Sequence, residues 1–272
     1  MSTSDTTPPD GKLIAAKNEV GILHWLYRFG WLRTRDIASL VWAPSVSTTS
    51  AMVMAQRTLR RLKTTKQVLP RLAPDGATVY VLAQAGAKRL GAEADVNAKS
   101  GKDLIRNLGN YEHRCRCNEF AIDQLLEGNR VYTEREIQAG QAPFKNVLHK
   151  TPDGLVFDKQ DRHWFGWVEV ERGYKKNADF QKMLRFIYHV LGGLGPDGKP
   201  STTLFEAADG IFITQAYIHV ASKKQLDRIV TAVESEFEKN RYGYSWPIIE
   251  GALLLSSDEF LPTPISHWTG AL

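Results

Sequence analysis

Residues 151–176 read TPDGLVFDKQDRHWFGWVEVERGYKK, and the spacing of their charged residues decides how the second half of the chain is read. The run HWFGWVEVER (163–172) is dense in aromatic and β-branched residues, which predicts a strand. Residues i and i+2 of a strand project to one face, so Glu169 and Glu171 point together while Val168 and Val170 point to the other. A second strand is expected over LHKTPDGLVFD (148–158), pairing as a hairpin around Asp158-Lys159-Gln160-Asp161 and bringing Asp153 alongside the two glutamates. Three carboxylates on one face repel one another unless cations lie between them, and hard divalent cations such as Mg²⁺ (or Mn²⁺) prefer such oxygen ligands. Asp153, Glu169 and Glu171 are therefore the expected metal ligands. A divalent ion so held makes hydroxide from water near neutral pH and stabilises the charge of phosphodiester cleavage, and a nearby lysine orients the nucleophile or neutralises developing charge. Plainer readings compete. Pro-Asp-Gly is foremost a turn sequence and recurs at 74–76 and 196–198. Alternating Glu and Val also suits an ordinary half-exposed strand.

Around this stretch the expected order is helix, three strands, helix, strand, helix, strand, an α/β domain with a mixed sheet. YEHRCRCNEFAIDQLLEG reads as a helix stopped by Gly128, and RVYTEREI (130–137) as a strand. KNADFQKMLRFIYHVLGG is a helix with Phe180, Met183, Leu184, Ile187, Val190 and Leu191 on its buried face. A loop with Gly195, Pro196, Gly198 and Pro200 leads to IFIT and AYIHVA. A helix over 222–240 carries Leu226, Ile229, Val230, Val233 and Phe237, and GALLLSS is the last strand.

The first half differs in charge and pattern. Residues 1–110 hold 16 Lys+Arg against 8 Asp+Glu, a net +8, which leaves −3 for 111–272 out of the total of +5. A basic half suits a polyanion. Residues 12–29 predict a helix with Ile14, Val20, Ile22, Leu23, Leu26 and Tyr27 as its stripe, stopped by Gly30; Thr34 caps a short helix over 35–42 that Pro44 ends. In SVSTTSAMVMAQRTLRRLKTTK, Met52, Ala55, Leu59 and Leu62 share one helix face, with Ser50, Arg57 and Arg61 opposite. A core-facing stripe backed by arginines is what a DNA-reading helix needs; it is also the pattern of a solvated helix. Strands at 67–72 and 77–83 flank the Pro74-Asp75-Gly76 turn and form the expected wing, and QAGAKRLGA closes the unit as a short helix. The expectation is a winged helix-turn-helix domain over 1–91, docking on double-stranded DNA with Ser50, Arg57, Arg60, Arg61 and Lys63, then a linker over 92–110 and a catalytic domain over 111–272.

The composition, 43% hydrophobic and 24% charged, is that of a globular chain. The first ten residues are polar, and no apolar run is long enough to span a bilayer, so a cytoplasmic protein without a membrane partner is expected. The two cysteines, Cys115 and Cys117, give no disulfide framework. With His113 they suggest zinc, but i and i+2 on a helix point about 200° apart and no second ligand pair is nearby, which disfavours a structural zinc site. Tyr174 and Tyr188 could serve as nucleophiles in a tyrosine relaxase, but no His-x-His cluster accompanies them, and core packing is the expected role of Tyr188. No phosphate-binding loop or dinucleotide fingerprint is present.

Pro-Asp153 followed by Glu169-x-Glu171, within this order of elements, resembles the PD-(D/E)xK nuclease signature. The resemblance implies a restriction-endonuclease-like fold with Asp153 and Glu169 on the metal, Glu171 at the usual lysine position, and Lys175 or Lys176 supplying the displaced cation. It also implies a helix carboxylate completing the site, with Glu119 first and Glu112 second. The layout of both halves (TRDIASLVW, LRRLK, VYVLAQAGAKRL, Asn118-Glu119-Phe120, and PDGL followed by WVEVERGYKK) resembles the replication-relaxation family of plasmids and integrative elements, some of whose members look like relaxases. That resemblance implies a nickase or endonuclease in mobilisation or replication, acting on duplex DNA as a homodimer or with other mobile-element DNA-processing proteins. The Glu at the lysine position favours the alternative: a non-catalytic replication or mobilisation factor, or transcriptional regulator, on a decayed nuclease fold.

Overall fold

The computed structural model describes residues 10–43, 46–106, 108–157, 163–173, 175–191, 205–238, 252–258 and 260–264. Pro44, the 158–161 turn, Tyr174, the 195–200 loop and the Phe237 side chain, all used above, lie outside the described residues. The chain divides into two compact units, Met1–Tyr111 and Glu112–Leu272, and it is of the α/β class, with helices and a mixed sheet.

The first unit contains α1 (Gly11–Phe29), β1 (Trp31–Arg33), α2 (Thr34–Trp42), α3 (Thr48–Thr64), β2 (Val68–Leu72), β3 (Thr78–Leu82) and α4 (Gln84–Ala94). Asp10 starts α1 by accepting from the Lys12 N–H, and Gly30, at φ +81°, stops it. The buried face of α1 is Ile22, Leu23, Leu26 and Phe29, a stripe shifted C-terminally from the expected one, since Ile14 is exposed. Burial of Ala51, Ala55, Thr58, Leu59 and Leu62 fixes α3 against the core; of the expected stripe Met52 is only half-buried, Ala51 taking its place. Between β2 and β3, the Asp75 carboxylate accepts the Ala77 N–H and Gly76 takes φ +81°, as the Pro-Asp-Gly turn requires. Strand β1 was not anticipated; it pairs with β3, giving the antiparallel order β1-β3-β2.

Two expectations in this unit are corrected. The start of α2 is fixed by Arg33 and Asp36 rather than by a Thr34 cap: the Asp36 carboxylate accepts the Arg33 backbone N–H and both arms of its guanidinium, each at 2.9 Å. Residues 92–110 are not a free linker. Helix α4 continues to Ala94, a 3₁₀ turn forms over Lys102–Ile105, and the Gly101 N–H donates to the Leu82 carbonyl at 2.7 Å. Tyr111 stacks on Trp31 and donates to Asp75, so this segment is tied to the unit it follows.

The second unit contains α5 (Tyr111–Leu126), β4 (Arg130–Thr133), α6 (Glu134–Gln138), β5 (Gly154–Phe157), β6 (Trp164–Glu171), α7 (Asn177–Leu191), β7 (Phe205–Ala208), β8 (Ile211–Val220), α8 (Lys223–Glu238), β9 (Leu253–Ser257) and β10 (Phe260–Pro264). The sheet order is β10-β9-β8-β6-β5-β4, with β7 beside β8. β4, β5 and β6 form an antiparallel meander, while β6, β8 and β9 run parallel. One face, carrying Leu155, Phe157, Phe165, Trp167 and Ile218, packs on the apolar stripes of α7 and α8. On the other face Phe120 of α5 meets Tyr217 of β8. The Tyr217 ring also lies over Gly166, where a Cβ would come within 2.5 Å of it.

The expected strand 130–137 ends at Thr133, because Thr133 and Glu136 cap α6 reciprocally: the Thr133 hydroxyl accepts the Glu136 N–H and the Glu136 carboxylate accepts the Thr133 N–H. The expected strand 148–158 shortens to Gly154–Phe157, and residues 147–150 make a turn instead. IFIT and AYIHVA fuse into the single strand β8, and β7 and β10 are additional. Tyr188 is fully buried in the core, as expected. Among the described residues no helix is long and apolar enough to cross a membrane.

The Arg33–Asp36 pair is almost wholly buried, at 4% and 3% side-chain exposure. Removing one partner of a buried pair leaves an uncompensated charge. Asp36→Ala is expected to cost about 3 kcal/mol of stability, and Arg33→Met/Asp36→Leu distinctly less. Denaturant unfolding of the two variants would check this; equal losses would contradict it.

Candidate metal centre

Asp153 immediately precedes β5, opposite Glu169 of β6. Its N–H donates to the Val168 carbonyl at 3.0 Å, and the Val170 N–H donates to its Oδ2 at 2.8 Å. The carboxylate is thus bound into the strand ladder. Glu169 is buried at 7% exposure; the Lys150 ammonium lies 2.6 Å from its Oε1, and the Trp167 indole N–H donates to its Oε2 at 3.3 Å. Glu171, two residues on, pairs with Lys175 at 2.6 Å. The alternation of β6 therefore holds Trp167, Glu169 and Glu171 on one face, as the sequence pattern required.

The electrostatics follow from burial and crowding. Desolvation, with Asp153 and Glu171 adding to it against the pull of Lys150, pushes the Glu169 carboxyl up to about 7. For Lys175 burial acts to lower the value, but Glu171 outweighs it and holds the ammonium above its usual range. Asp153 raises His113 by hydrogen bonding and charge, against desolvation. Burial, with Asp153 and Glu134 behind it, pushes the Cys117 thiol far up.

The structure brings Asp153, Glu169, Glu171 and Lys175 to one end of β5 and β6. Lys176 is exposed. Glu119 is elsewhere: it pairs with Arg116 at 2.6 Å and lines a cleft of about 650 Å³ with His219, Ser256 and Asp258. Glu112 is 80% exposed, 3.9 Å from Arg172. Helix α5 turns another side to Asp153, the one with His113 and Cys117, and these three residues form a group whose ligand atoms lie within 4.8 Å of one another. The two-residue spacing of Cys115 and Cys117 hides this group in the sequence; the pair that shares a helix face is His113 and Cys117, four residues apart.

Lys150 was also missed. It closes a tight turn in which Val147 and Lys150 exchange backbone hydrogen bonds of 2.9 Å. The two central residues, Leu148 and His149, both have positive φ, +49° and +65°. Two left-handed non-glycine residues in succession are strained, and no Asn-Gly or Gly-Gly signal announces such a turn.

Among the described residues the group whose ligand atoms come together is His113, Cys117 and Asp153; the expected set of Asp153, Glu169 and Glu171 is not brought into one such group, each glutamate being turned to its own lysine. Comparisons with family models, characterised proteins and solved structures return no match.

Exposed α3 residues form the other candidate surface. Ser50, Arg57, Arg60 and Lys63 are exposed, as are Val53 and Met54. Arg61 is turned aside, its guanidinium 3.0 Å from Glu19, which also binds Arg89.

Glu169 gives a signed pH dependence. Its folded value lies above the ordinary 4.5, so its stabilising contribution is complete below that value and is lost as pH rises through about 7. With chelator present, the unfolding midpoint of the wild type relative to Glu169→Gln is expected to fall between about pH 4.5 and 7. A flat difference across that window would contradict it.

Proposed function

We propose that this chain is a DNA-processing protein in which a winged helix grips duplex DNA and a PD-(D/E)xK-type centre hydrolyses a phosphodiester with a divalent cation, Mg²⁺ or Mn²⁺. The observation that carries this reading is the seating of Asp153 against Glu169 at one end of an antiparallel meander that continues through a helix into a parallel strand. The order α1–β1–α2–α3–β2–β3 of the first unit supports the DNA-binding half, being that of a winged helix-turn-helix with α3 as reading helix.

Asp153 and Glu169 are the residues that would hold the cation. When bound, the ion supplies Lewis-acid stabilisation of the phosphoryl oxygens and lowers the pKa of water. The Val170 N–H orients the Asp153 carboxylate. Lys150 takes the part that the displaced lysine has in the resemblance, an ammonium at the metal-binding glutamate, where it offsets charge developing on the phosphate. Lys175 is occupied by Glu171 and serves to neutralise it. On DNA, Arg57, Arg60 and Lys63 meet phosphates, and Val53 and Met54 provide apolar contact of the kind thymine methyls accept. Membership of the replication-relaxation family, nicking at a mobile element's origin, dimerisation and a cytoplasmic location belong to the same proposal.

A second reading has its own observation. Each glutamate of the cluster already has a lysine, Lys150 for Glu169 and Lys175 for Glu171. Such closed pairs suit a scaffold that binds DNA without cutting it.

Supercoiled plasmid carrying the protein's own genetic neighbourhood is expected to become open circles with Mg²⁺ or Mn²⁺ and not with chelator, and Asp153→Asn/Glu169→Gln to abolish this. Retarded but intact DNA, alike for both proteins, would leave the binding-only reading. Separately, Arg57→Ala/Arg60→Ala is expected to weaken duplex binding and to reduce the slope of log K against log salt by about 2. An unchanged slope would remove α3 from the DNA interface.

A further inference from the structure

Asp153 divides its oxygens between two tasks. Oδ2 accepts the Val170 N–H at 2.8 Å, while Oδ1 faces α5, 3.4 Å from His113 Nε2. That separation is at the long end for the hydrogen bond that raises His113, and it leaves room for an ion in the proton's place. It matches the edge of a coordination tetrahedron: metal bonds of about 2.0–2.3 Å place neighbouring ligand atoms roughly 3.3–3.6 Å apart. Cys117 Sγ stands 3.6 Å from His113 Nδ1 and 3.9 Å from Nε2. The three ligand atoms lie within 4.8 Å of one another; with Nε2, the nitrogen that faces Asp153, as the ligand, the sulfur at 3.9 Å stands slightly outside the tetrahedral edge and closes on an ion as it binds.

The group is built rather than incidental. His113 and Cys117 share a face of α5 because they are four residues apart. The Val170 N–H fixes the carboxylate plane, as an outer partner fixes a metal ligand. Glu134 and Glu171 add negative potential at His113. Cys117 is buried, while His113 at 29% and Asp153 at 18% exposure keep the group in reach of solvent. Cys115, two residues from Cys117, is outside the group.

We propose that His113, Cys117 and Asp153 bind a borderline transition-metal ion of the Zn²⁺ or Co²⁺ class, in preference to Mg²⁺. Sulfur and imidazole are poor ligands for Mg²⁺ and Ca²⁺, which take oxygen, and good ones for the later first-row ions. Binding replaces the thiol proton of Cys117 with the metal and releases it to solvent, so no oxidant or reductant is involved. The inference goes beyond the proposed reading: it shares Asp153 with it, but takes the α5 side of that carboxylate and a different class of ion, so the two stand or fall separately. Its ligand set stands without DNA, and so does its test.

The metal-free full-length chain is titrated with Co²⁺ alone, in the absence of DNA, and absorbance is followed for thiolate-to-cobalt charge transfer and for the visible bands of tetrahedral Co²⁺. The expected result is one equivalent bound with a charge-transfer band, displaced by Zn²⁺ and untouched by excess Mg²⁺. Cys117→Ser is expected to abolish the band and to weaken Zn²⁺ binding by at least about tenfold. His113→Gln is expected to weaken binding with the thiolate band reduced, and Cys115→Ser to leave both unchanged. Circular dichroism confirms that each variant is folded. Absence of the band in the wild type, or its survival in Cys117→Ser with loss in Cys115→Ser, overturns the proposal. Plasmid cleavage by Mg²⁺ without a cobalt–thiolate band would sink this inference and leave the nuclease reading. A band without cleavage under any ion would do the reverse.

Discussion

One carboxylate organises the second unit's candidate centre. Asp153 lies just beyond the paired length of β5, and its side chain, not a backbone carbonyl, receives the Val170 N–H of β6. This single bond sets the carboxylate beside Glu169 on one side and beside His113 on the other. The surrounding groups then answer to its charge. Its charge draws His113 toward the charged form, and it adds to the burial that pushes Glu169 toward its neutral form and raises the Cys117 thiol.

The positive charges are arranged with matching economy. Lys150 arrives from a turn, Lys175 from the approach to α7, and each meets one glutamate of β6. The Lys175 segment is itself held by Arg228, which donates to the Lys175 carbonyl and stacks on Phe180 at 3.9 Å. A half-buried cluster of three carboxylates and two ammonium groups has its lysines on the glutamates, which leaves Asp153 Oδ1 to face His113 of α5. That geometry separates an oxygen-rich half of the centre from a half with nitrogen and sulfur.

Much of this arrangement was legible in the sequence, and the omissions have physical causes. The Val-Glu alternation of β6 placed Glu169 and Glu171 on one face, and the 3.6-residue period of α7 and of α3 identified their buried sides, because periodicity is a local property. Pro-Asp-Gly at 74–76 announced its turn for the same reason. Lys150 could not be found that way: its partner is nineteen residues distant, and the turn that delivers it uses Leu and His where glycine or asparagine would have given a signal. His113 was visible, but the two-residue spacings of the run hide its four-residue pairing with Cys117, and the third member, Asp153, is distant in sequence. Glu119 was chosen by analogy, and helix geometry turns it toward Arg116 and Asp258 instead. The Thr133-x-x-Glu136 capping box, which ends β4, was in plain view and was overridden by β-branched neighbours.

The turn at Leu148 and His149 has an implication for which sequences could share this centre. Neither side chain needs to touch the carboxylates; what they contribute is handedness, two successive left-handed residues. Substitution there should therefore be judged by backbone rather than by chemistry. Glycine, asparagine and aspartate conserve the path of the chain while changing everything else about the two positions, whereas valine or isoleucine would preserve hydrophobic character and lose the path. Related chains could then differ freely at both sites yet deliver a lysine to the same glutamate, and an alignment scored on residue similarity would pass over the feature that they hold in common.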